Sequence, residues 1–152
     1  MILWRISNWD DLRGTGGLRH AGRWHNRGIP VIYCAEHPAL ALLETLVHFE
    51  LAPDEVPDQF KLLQIEVSDT AARSNLDLSV LDPGWQADLT LTRAIGDEWL
   101  AGASSLMLRV PSAIVPESFN FLVNPRHRQA RTMRIRRVIE HPYDTRLFSI
   151  TE

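Results

Sequence analysis

Hydrophobic and polar positions divide the chain into several short strands and two longer helical segments. In residues 63–67 alternate positions are apolar, which is typical of a half-buried strand. In residues 88–101 an apolar side chain recurs every fourth position, as on one face of a helix. Strands are predicted at residues 2–6, 31–34, 60–67, 106–110, 113–115, 119–123 and 133–139, and helices at residues 39–50 and 88–101.

Glycine and proline mark the connections between these elements. Residues 13–17 (Arg-Gly-Thr-Gly-Gly) are predicted to be a loop without regular structure, and residues 68–84 an irregular connection. Since no repeat or linker interrupts the sequence, residues 1–152 are expected to form one domain. The mixed order of helices and strands, with closely spaced strands at the end, predicts an α+β fold with a mainly antiparallel sheet.

Composition limits the class of protein. Hydrophobic residues make up 45% and charged residues 23% of the chain, as in globular domains. Cys34 is the one cysteine, which excludes an intrachain disulfide framework. No apolar stretch approaches the ~20 residues of a membrane span and no signal peptide is recognised, so a cytoplasmic protein without membrane contact is expected. The six histidines lack zinc-ligand spacing, so no metal site is predicted.

Charge is unevenly distributed along the chain, whose formal net charge is −3. Five arginines and two aspartates give +3 in residues 1–30, whereas four basic and fourteen acidic residues give −10 in residues 31–122. This balance does not favour bulk attraction to nucleic acid, so no direct DNA binding is expected. Residues 123–152 carry +4, from seven arginines and three acidic residues, which leaves an RNA-binding or RNA-cleaving protein as an alternative. The basic cluster is Arg126, Arg128, Arg131, Arg134, Arg136 and Arg137.

Glu44 departs from the pattern of its own helix. Between residues 39 and 49 the polar side chains are Glu44, Thr45 and His48, so the helix is apolar over most of its circumference and is expected to be largely buried. A carboxylate on such a helix needs a partner, a shifted pKa or a cavity. Two interpretations stay open: a solvated stripe of these three residues, or a carboxylate that lines a cleft.

Other residues also admit both a functional and a structural interpretation. Residues 22–28 (Gly-Arg-Trp-His-Asn-Arg-Gly) could bring guanidinium groups to a phosphate, or could form a turn with Trp24 in the core. Tyr33 lies in an apolar strand, where a core position is usual. Ser112 follows a proline between two strands, where it would usually bond the backbone of a turn. Cys34, in the same apolar run as Tyr33, is predicted to be buried and inert.

Six short motifs follow one another along the chain. They are Gly22-Arg23-Trp24, Pro30-Val31-Ile32-Tyr33-Cys34-Ala35, Leu40-Ala41-Leu42-Leu43-Glu44, Gly96-Asp97-Glu98-Trp99-Leu100, Val110-Pro111-Ser112-Ala113, and Asn120 followed by Val123-Asn124-Pro125-Arg126-His127. Together they resemble the RES domain family, named for an arginine, a glutamate and a serine. The resemblance implies a fold similar to ADP-ribosyltransferase toxins, with two packed, mainly antiparallel sheets and flanking helices around an NAD⁺ cleft.

The resemblance also implies an activity. Members of the family look like bacterial toxins that deplete NAD⁺ by cleaving its nicotinamide–ribose bond, through hydrolysis or phosphorolysis, and so arrest growth. NAD⁺ is then a substrate, and no prosthetic group is implied. A mono-ADP-ribosyltransferase acting on a specific protein and a catalytically inactive interaction module are the alternatives beside the RNA-directed one.

The same resemblance assigns roles to individual residues. It implies catalytic roles for Glu44, Arg23, Tyr33 and Ser112, and substrate-binding roles for Arg5, Arg23, Tyr33, Ser112 and Asn124. Glu44 would stabilise positive charge on the ribose, and Tyr33 would stack on the nicotinamide ring. Asn120 is an alternative to Asn124. His25 stands where many relatives have Asn or Ser, and it is expected at the rim of the cleft.

A partner is implied as well. The family's antitoxin looks like an Xre-type helix-turn-helix protein that blocks the cleft and represses the shared operon. Contact with DNA would then belong mainly to the antitoxin, which agrees with the acidic charge of this chain. A homodimer of the toxin is a further expectation.

Overall fold

The computed structural model describes residues 1–48 and 56–148. In these residues the strands are β1 Ile2–Ile6, β2 Ile32–Ala35, β3 Gln59–Glu66, β4 Arg73–Asn75, β5 Met107–Pro111, β6 Phe119–Val123 and β7 Arg134–Pro142. The α-helices are α1 Gly16–Arg19, α2 Pro38–Leu46 and α3 Leu89–Gly102. Short 3₁₀ helices lie at Leu78–Val80, Trp85–Ala87, Arg128–Thr132 and Thr145–Phe148.

All seven strands belong to one sheet, in the order β4-β5-β6-β2-β1-β3-β7. Every neighbouring pair is antiparallel except β4 and β5, which run parallel. The α+β class and the mainly antiparallel pairing are therefore as predicted.

The expected division into two packed sheets is not found among the described strands. The junction between β1 and β2 is narrow, because their register consists of the single pair Trp4 and Ala35. By contrast, β1 pairs with β3 over five residues. The largest core cluster takes side chains from both sides of this junction, including Leu3 and Ile65 on one side and Ile32 on the other. The described strands thus form one sheet, in which β1 and β2 separate beyond their single pair, rather than two separate sheets.

Local signals explain where α2 begins. The ring of His37 accepts a hydrogen bond from the Ala39 backbone N–H at 3.2 Å, and Pro38 occupies the first turn, where its missing N–H costs nothing. The helix buries Leu40 and Ala41 against the sheet, while Ala39 is exposed and its other side chains stay half-buried. The prediction of a largely buried helix was therefore too strong. Of its predicted last residues, 47 and 48 form a turn, and 49 and 50 lie outside the described residues.

The helix α3 packs beside β5 and β6, in the same cluster as Leu108, Val110 and Leu122. The Asp88 carboxylate accepts a hydrogen bond from the Leu91 N–H at 2.9 Å and so caps the first turn. Ala103 ends the helix in a left-handed conformation, with φ of 46°. The buried face of α3 packs Trp99 and Leu100 into a core cluster with Trp24 and other apolar side chains.

Three local predictions differ from the structure. Residues 113–115 are a turn rather than a strand, because the Ser112 hydroxyl accepts the N–H groups that a strand would have offered to a neighbour. Residues 13–17 are not wholly irregular, since α1 begins within them. Residues 68–84 contain β4, whose polar sequence Arg-Ser-Asn has no hydrophobic alternation to reveal it.

Nowhere in the described parts of the chain is a helix long and apolar enough to cross a membrane. Within the same residues, no group of three or more His, Cys, Asp and Glu side chains is arranged to hold a metal ion.

Candidate active site

A cleft of about 710 Å³ lies where β1 and β2 diverge, with α2 on one side and α3 on the other. Its volume is within the range of small-molecule sites, about 300–1,000 Å³. Residues beyond the single β1–β2 pair, Arg5 on one strand and Tyr33 on the other, both line it. Its polar and charged lining side chains come from several elements and are Arg5, Arg23, Tyr33, Glu44, Thr45, His48, Arg93 and Asn120.

Glu44 projects into this cleft from α2. The Asn120 side-chain N–H donates to Glu44 Oε1 at 2.6 Å, which holds one carboxylate oxygen. Thr45 and the exposed His48 line the same cleft, so the polar stripe of this helix borders the cleft. The second of the two interpretations, a carboxylate lining a cleft, is the one that the structure supports.

The Arg23 side chain is oriented by contacts with the short 3₁₀ helix Trp85–Ala87. Its Nη1 donates to the Gln86 backbone oxygen at 2.6 Å, and its Cζ lies 6.0 Å from the centre of the Trp85 ring. Part of the guanidinium is thus held by the protein, and the side chain lines the cleft. A guanidinium arranged in this way can bind an anion with little loss of conformational freedom.

Arg93 also lines the cleft, and the sequence pattern did not predict this. Its Nε donates to the Gly22 backbone oxygen at 2.8 Å, and one position earlier the Thr92 hydroxyl donates to the Arg23 backbone oxygen at 2.7 Å. The helix α3 therefore both holds the segment that carries Arg23 and adds a third guanidinium to the cleft. In the sequence Arg93 is one polar residue on an amphipathic helix, and nothing local distinguishes it.

One turn further along α3, Gly96 and Asp97 complete the contact with this segment. Both oxygens of Asp97 accept hydrogen bonds from Asn26, at 3.0 Å from its backbone N–H and 2.7 Å from its side chain. A Cβ placed on Gly96 would lie only 1.7 Å from the Trp24 backbone oxygen. The close approach of α3 to the Trp24 backbone thus requires a glycine at position 96.

Tyr33 is anchored by its hydroxyl. The Trp24 backbone N–H donates to Tyr33 Oη at 3.1 Å, and the same oxygen lies 2.8 Å from His25 Nδ1. Burial raises the pKa of Tyr33 above its ordinary value, so the side chain is a neutral phenol. The phenol therefore does not act as a base. Because Tyr33 lines the cleft, its ring is available for stacking.

His25 was expected at the rim of the cleft, and the structure places it elsewhere. Its side chain is buried, with 3% of its surface exposed, and contacts the Tyr33 hydroxyl rather than the cleft. Its Nε2 lies 3.0 Å from the His20 backbone oxygen. Burial lowers the pKa of His25, which favours the neutral imidazole.

Cys34 also lines the cleft, but its thiol is unreactive. Burial raises the pKa of its thiol to about 12, so almost none is present as the reactive thiolate near neutral pH. This agrees with the prediction of a buried and inert cysteine.

Ser112 and Asn124 do not line the cleft. The fully buried Ser112 accepts hydrogen bonds at 3.1 Å from the backbone N–H groups of both Ile114 and Val115. The Asn124 amide donates to the Leu100 backbone oxygen at 3.0 Å and accepts from the Arg126 N–H at 3.0 Å. Both side chains thus bond the backbone, and their contact with a substrate stays a prediction.

The Ser112→Ala substitution separates a structural role of the hydroxyl, bonding the backbone, from a role in binding the substrate. It is expected to lower the free energy of unfolding by about 1–3 kcal/mol, because two buried N–H groups lose their acceptor. Denaturant unfolding of both proteins measures this change. A melting curve identical to that of the unmodified protein would contradict it, and a loss of turnover in fully folded variant would assign the hydroxyl to the substrate as well.

The basic cluster of the last segment is separate from the cleft, since none of its six arginines lines it. Arg136 pairs with Glu66 at 3.0 Å across β7 and β3. Arg134 donates from Nη1 to the backbone oxygens of Arg131 and Met133. Two of the arginines are therefore engaged within the protein.

Comparisons with known proteins agree with the motifs. The RES domain model matches residues 2–146. "Toxin Res" of Pseudomonas putida is 50% identical over 97% of this chain and 100% of its own length. "Toxin Res" of Yersinia enterocolitica is 38% identical, over 87% of this chain and 89% of its own. The "Prs ADP-ribosylating toxin" of a Sphingobium species is 37% identical, over 91% and 87%. With a family match over nearly its whole length and such relatives, the chain belongs to the RES domain family.

Proposed function

We propose that this protein is a toxin that destroys NAD⁺ by cleaving the bond between nicotinamide and ribose. The observation that carries the proposal is the convergence in one cleft of Glu44, held by Asn120, with Arg5, Arg23 and the ring of Tyr33. These groups come from distant parts of the chain, and each type suits a different part of the dinucleotide.

Glu44 suits the reacting sugar. When the C1′–N bond breaks, nicotinamide leaves with the bonding electron pair as a neutral base, and C1′ becomes a cationic, oxocarbenium-like centre. A carboxylate oriented beforehand stabilises that charge without reorganising during the reaction. Because Asn120 engages Oε1, the other oxygen, Oε2, is the candidate for facing the ribose. Water or phosphate then bonds to C1′ through oxygen and loses its proton to solvent.

The arginines suit the pyrophosphate. Three guanidinium groups and one carboxylate line the cleft, which gives a positive site for two adjacent phosphates. Arg23 and Arg93 are each held by a backbone oxygen, so their remaining N–H groups are directed before the substrate arrives. Binding energy from these remote phosphates can be used to distort the ribose toward its transition state.

The Tyr33 ring suits the nicotinamide. Its hydroxyl is held by the Trp24 N–H, and the neutral phenol can stack on a cationic ring. Ser112 would assist through the shape of the backbone next to Pro111 and Ala113, which line the cleft.

The names of the relatives support the biological role. Three of the four curated relatives are called "Toxin Res", which favours a toxin that arrests growth. A toxin of this kind needs a neutralising partner, and an Xre-type helix-turn-helix antitoxin that covers the cleft is the partner that we propose. A homodimer of the toxin is part of the same proposal.

A second candidate, transfer of ADP-ribose to a protein, is favoured by the name of the Sphingobium relative. Both reactions break the same bond, and they differ in which oxygen or nitrogen bonds to C1′. The cleft alone therefore serves either acceptor.

NAD⁺ labelled in its adenylate half distinguishes the two. After incubation with purified protein and a cell extract, we expect the label to appear as soluble ADP-ribose or its phosphate, with stoichiometric release of nicotinamide. Label retained on one protein band would favour transfer instead, and intact NAD⁺ in every sample would reject both. Glu44→Gln protein is the matched control for non-enzymatic attachment.

A further inference from the structure

We propose that His25 is a positioning residue, which sets the orientation of Tyr33 through a hydrogen bond between its Nδ1 and the Tyr33 hydroxyl. The role for Tyr33 in stacking on nicotinamide rests on the proposed function. The hydrogen bond itself rests on the geometry of the described residues alone.

The direction of the hydrogen bonds follows from their partners. Tyr33 Oη accepts the Trp24 N–H at 3.1 Å, so its own proton is free to point toward His25 Nδ1, 2.8 Å away. The Gly22 N–H also points at Nδ1, at 3.2 Å, in addition to its 3.1 Å bond to the His25 backbone oxygen. A ring nitrogen accepts hydrogen bonds through its in-plane lone pair, which a protonated nitrogen lacks, so Nδ1 is the unprotonated nitrogen.

The other ring nitrogen agrees with this tautomer. Nε2 lies 3.0 Å from the His20 backbone oxygen, which can only accept, so Nε2 carries the proton. One neutral form of His25 therefore satisfies every contact of the ring. The lowered pKa of this buried imidazole favours the same neutral form.

The packing leaves this arrangement little freedom. A Cβ on Gly22 would lie 2.6 Å from Tyr33 Oη and 2.9 Å from the His25 ring, so the segment closes tightly over both side chains. The two ring centres are 5.6 Å apart. His25 is absent from the cleft lining, whereas Tyr33 is part of it, so His25 acts on a substrate only through Tyr33.

Two substitutions of His25 separate this role from simple support of the segment. In His25→Asn, an amide oxygen can take the place of Nδ1 and keep an acceptor for Tyr33. In His25→Gln, the longer amide reaches the place of Nε2, keeps the bond to His20 and loses the acceptor for Tyr33. We expect kcat for nicotinamide release to fall about tenfold in His25→Gln and about twofold in His25→Asn. Equal losses, or the reverse order, would overturn the proposal.

A double-mutant cycle with Tyr33→Phe gives the second test. Because the phenylalanine ring has no hydroxyl to orient, His25→Gln should reduce kcat by less than twofold in that background. A further tenfold loss there would show that His25 acts independently of Tyr33 and would reject the proposal. Thermal melting of each variant, with assays run well below its Tm, controls for folding.

Long-range ¹⁵N–¹H spectra of the histidine rings test the hydrogen bond without any enzymatic readout. We expect Nδ1 of His25 to be the unprotonated nitrogen in the unmodified protein, with a shifted resonance in Tyr33→Phe. A protonated Nδ1, or a resonance that Tyr33→Phe leaves unchanged, would contradict the inference. If the unmodified protein released no nicotinamide, the proposed function would fail, and these spectra would still decide whether His25 holds Tyr33.

Discussion

Replacement of Glu44 by glutamine is expected to slow nicotinamide release by about 10²–10³-fold, which corresponds to about 2.7–4 kcal/mol of transition-state stabilisation. The amide keeps the size of the side chain and removes the negative charge that would face the cationic ribose. Asn120 can still donate to the remaining oxygen, so the helix should keep its position. Single-turnover kinetics on purified protein and the cellular NAD⁺ level after expression measure the effect.

Glu98→Gln is the matched control for this experiment. Glu98 is an exposed carboxylate on α3 that does not line the cleft, so the same chemical change there should leave the rate within about twofold. A Glu44→Gln protein that retained a third or more of the normal rate would reject the carboxylate as the main source of electrostatic stabilisation.

The second large effect concerns stability. Gly96→Ala is expected to lower the free energy of unfolding by about 3 kcal/mol, because its Cβ would lie 1.7 Å from the Trp24 backbone oxygen. For a domain of this size the loss corresponds to a fall in Tm of about 6–12 °C. A backbone oxygen cannot rotate away as a side chain can, so the helix and the segment that carries Arg23 must separate. Thermal melts followed by circular dichroism measure the change.

Gly102→Ala in the same helix is the control. Apart from its own helix and chain neighbours, no heavy atom lies within 4 Å of a Cβ built there, and alanine is the better helix former by about 1 kcal/mol at interior positions. We expect its Tm to be unchanged or slightly raised. If Gly96→Ala melted within 2 °C of Gly102→Ala, the close approach of α3 to the Trp24 backbone would be of no energetic importance.

These two predictions concern the two sides of one cleft. Glu44 lies on α2, which packs near β1, whereas Gly96 allows α3 to hold Arg23 from the other side. Loss of the α3 contact should therefore weaken substrate binding as well as stability, because Arg23 and Arg93 depend on it for their orientation.

Much of the site could be predicted from the sequence. Glu44 was recognisable because a carboxylate interrupts an apolar helical face, and Arg5, Arg23 and Tyr33 were recognisable through the motifs of the family. The structure brings all four to one cleft. Arg93 and the burial of His25 were not predicted, since both depend on how α3 and the segment from His20 to Asn26 pack against each other. Ser112 and Asn124 were placed at the substrate by resemblance, and their contacts in the structure are with the backbone.

By itself, the sequence determined most of the local elements, the α+β class and the family, because hydrophobic period, capping residues and short motifs are properties of neighbouring residues. It also indicated which polar side chains have no simple place in a core. Only the tertiary structure decided that the strands form one sheet, which opens between β1 and β2, and that α3 supplies a third arginine. Such contacts join residues far apart in the chain, 71 positions for Gly22 and Arg93 and 76 for Glu44 and Asn120, and no local pattern specifies them.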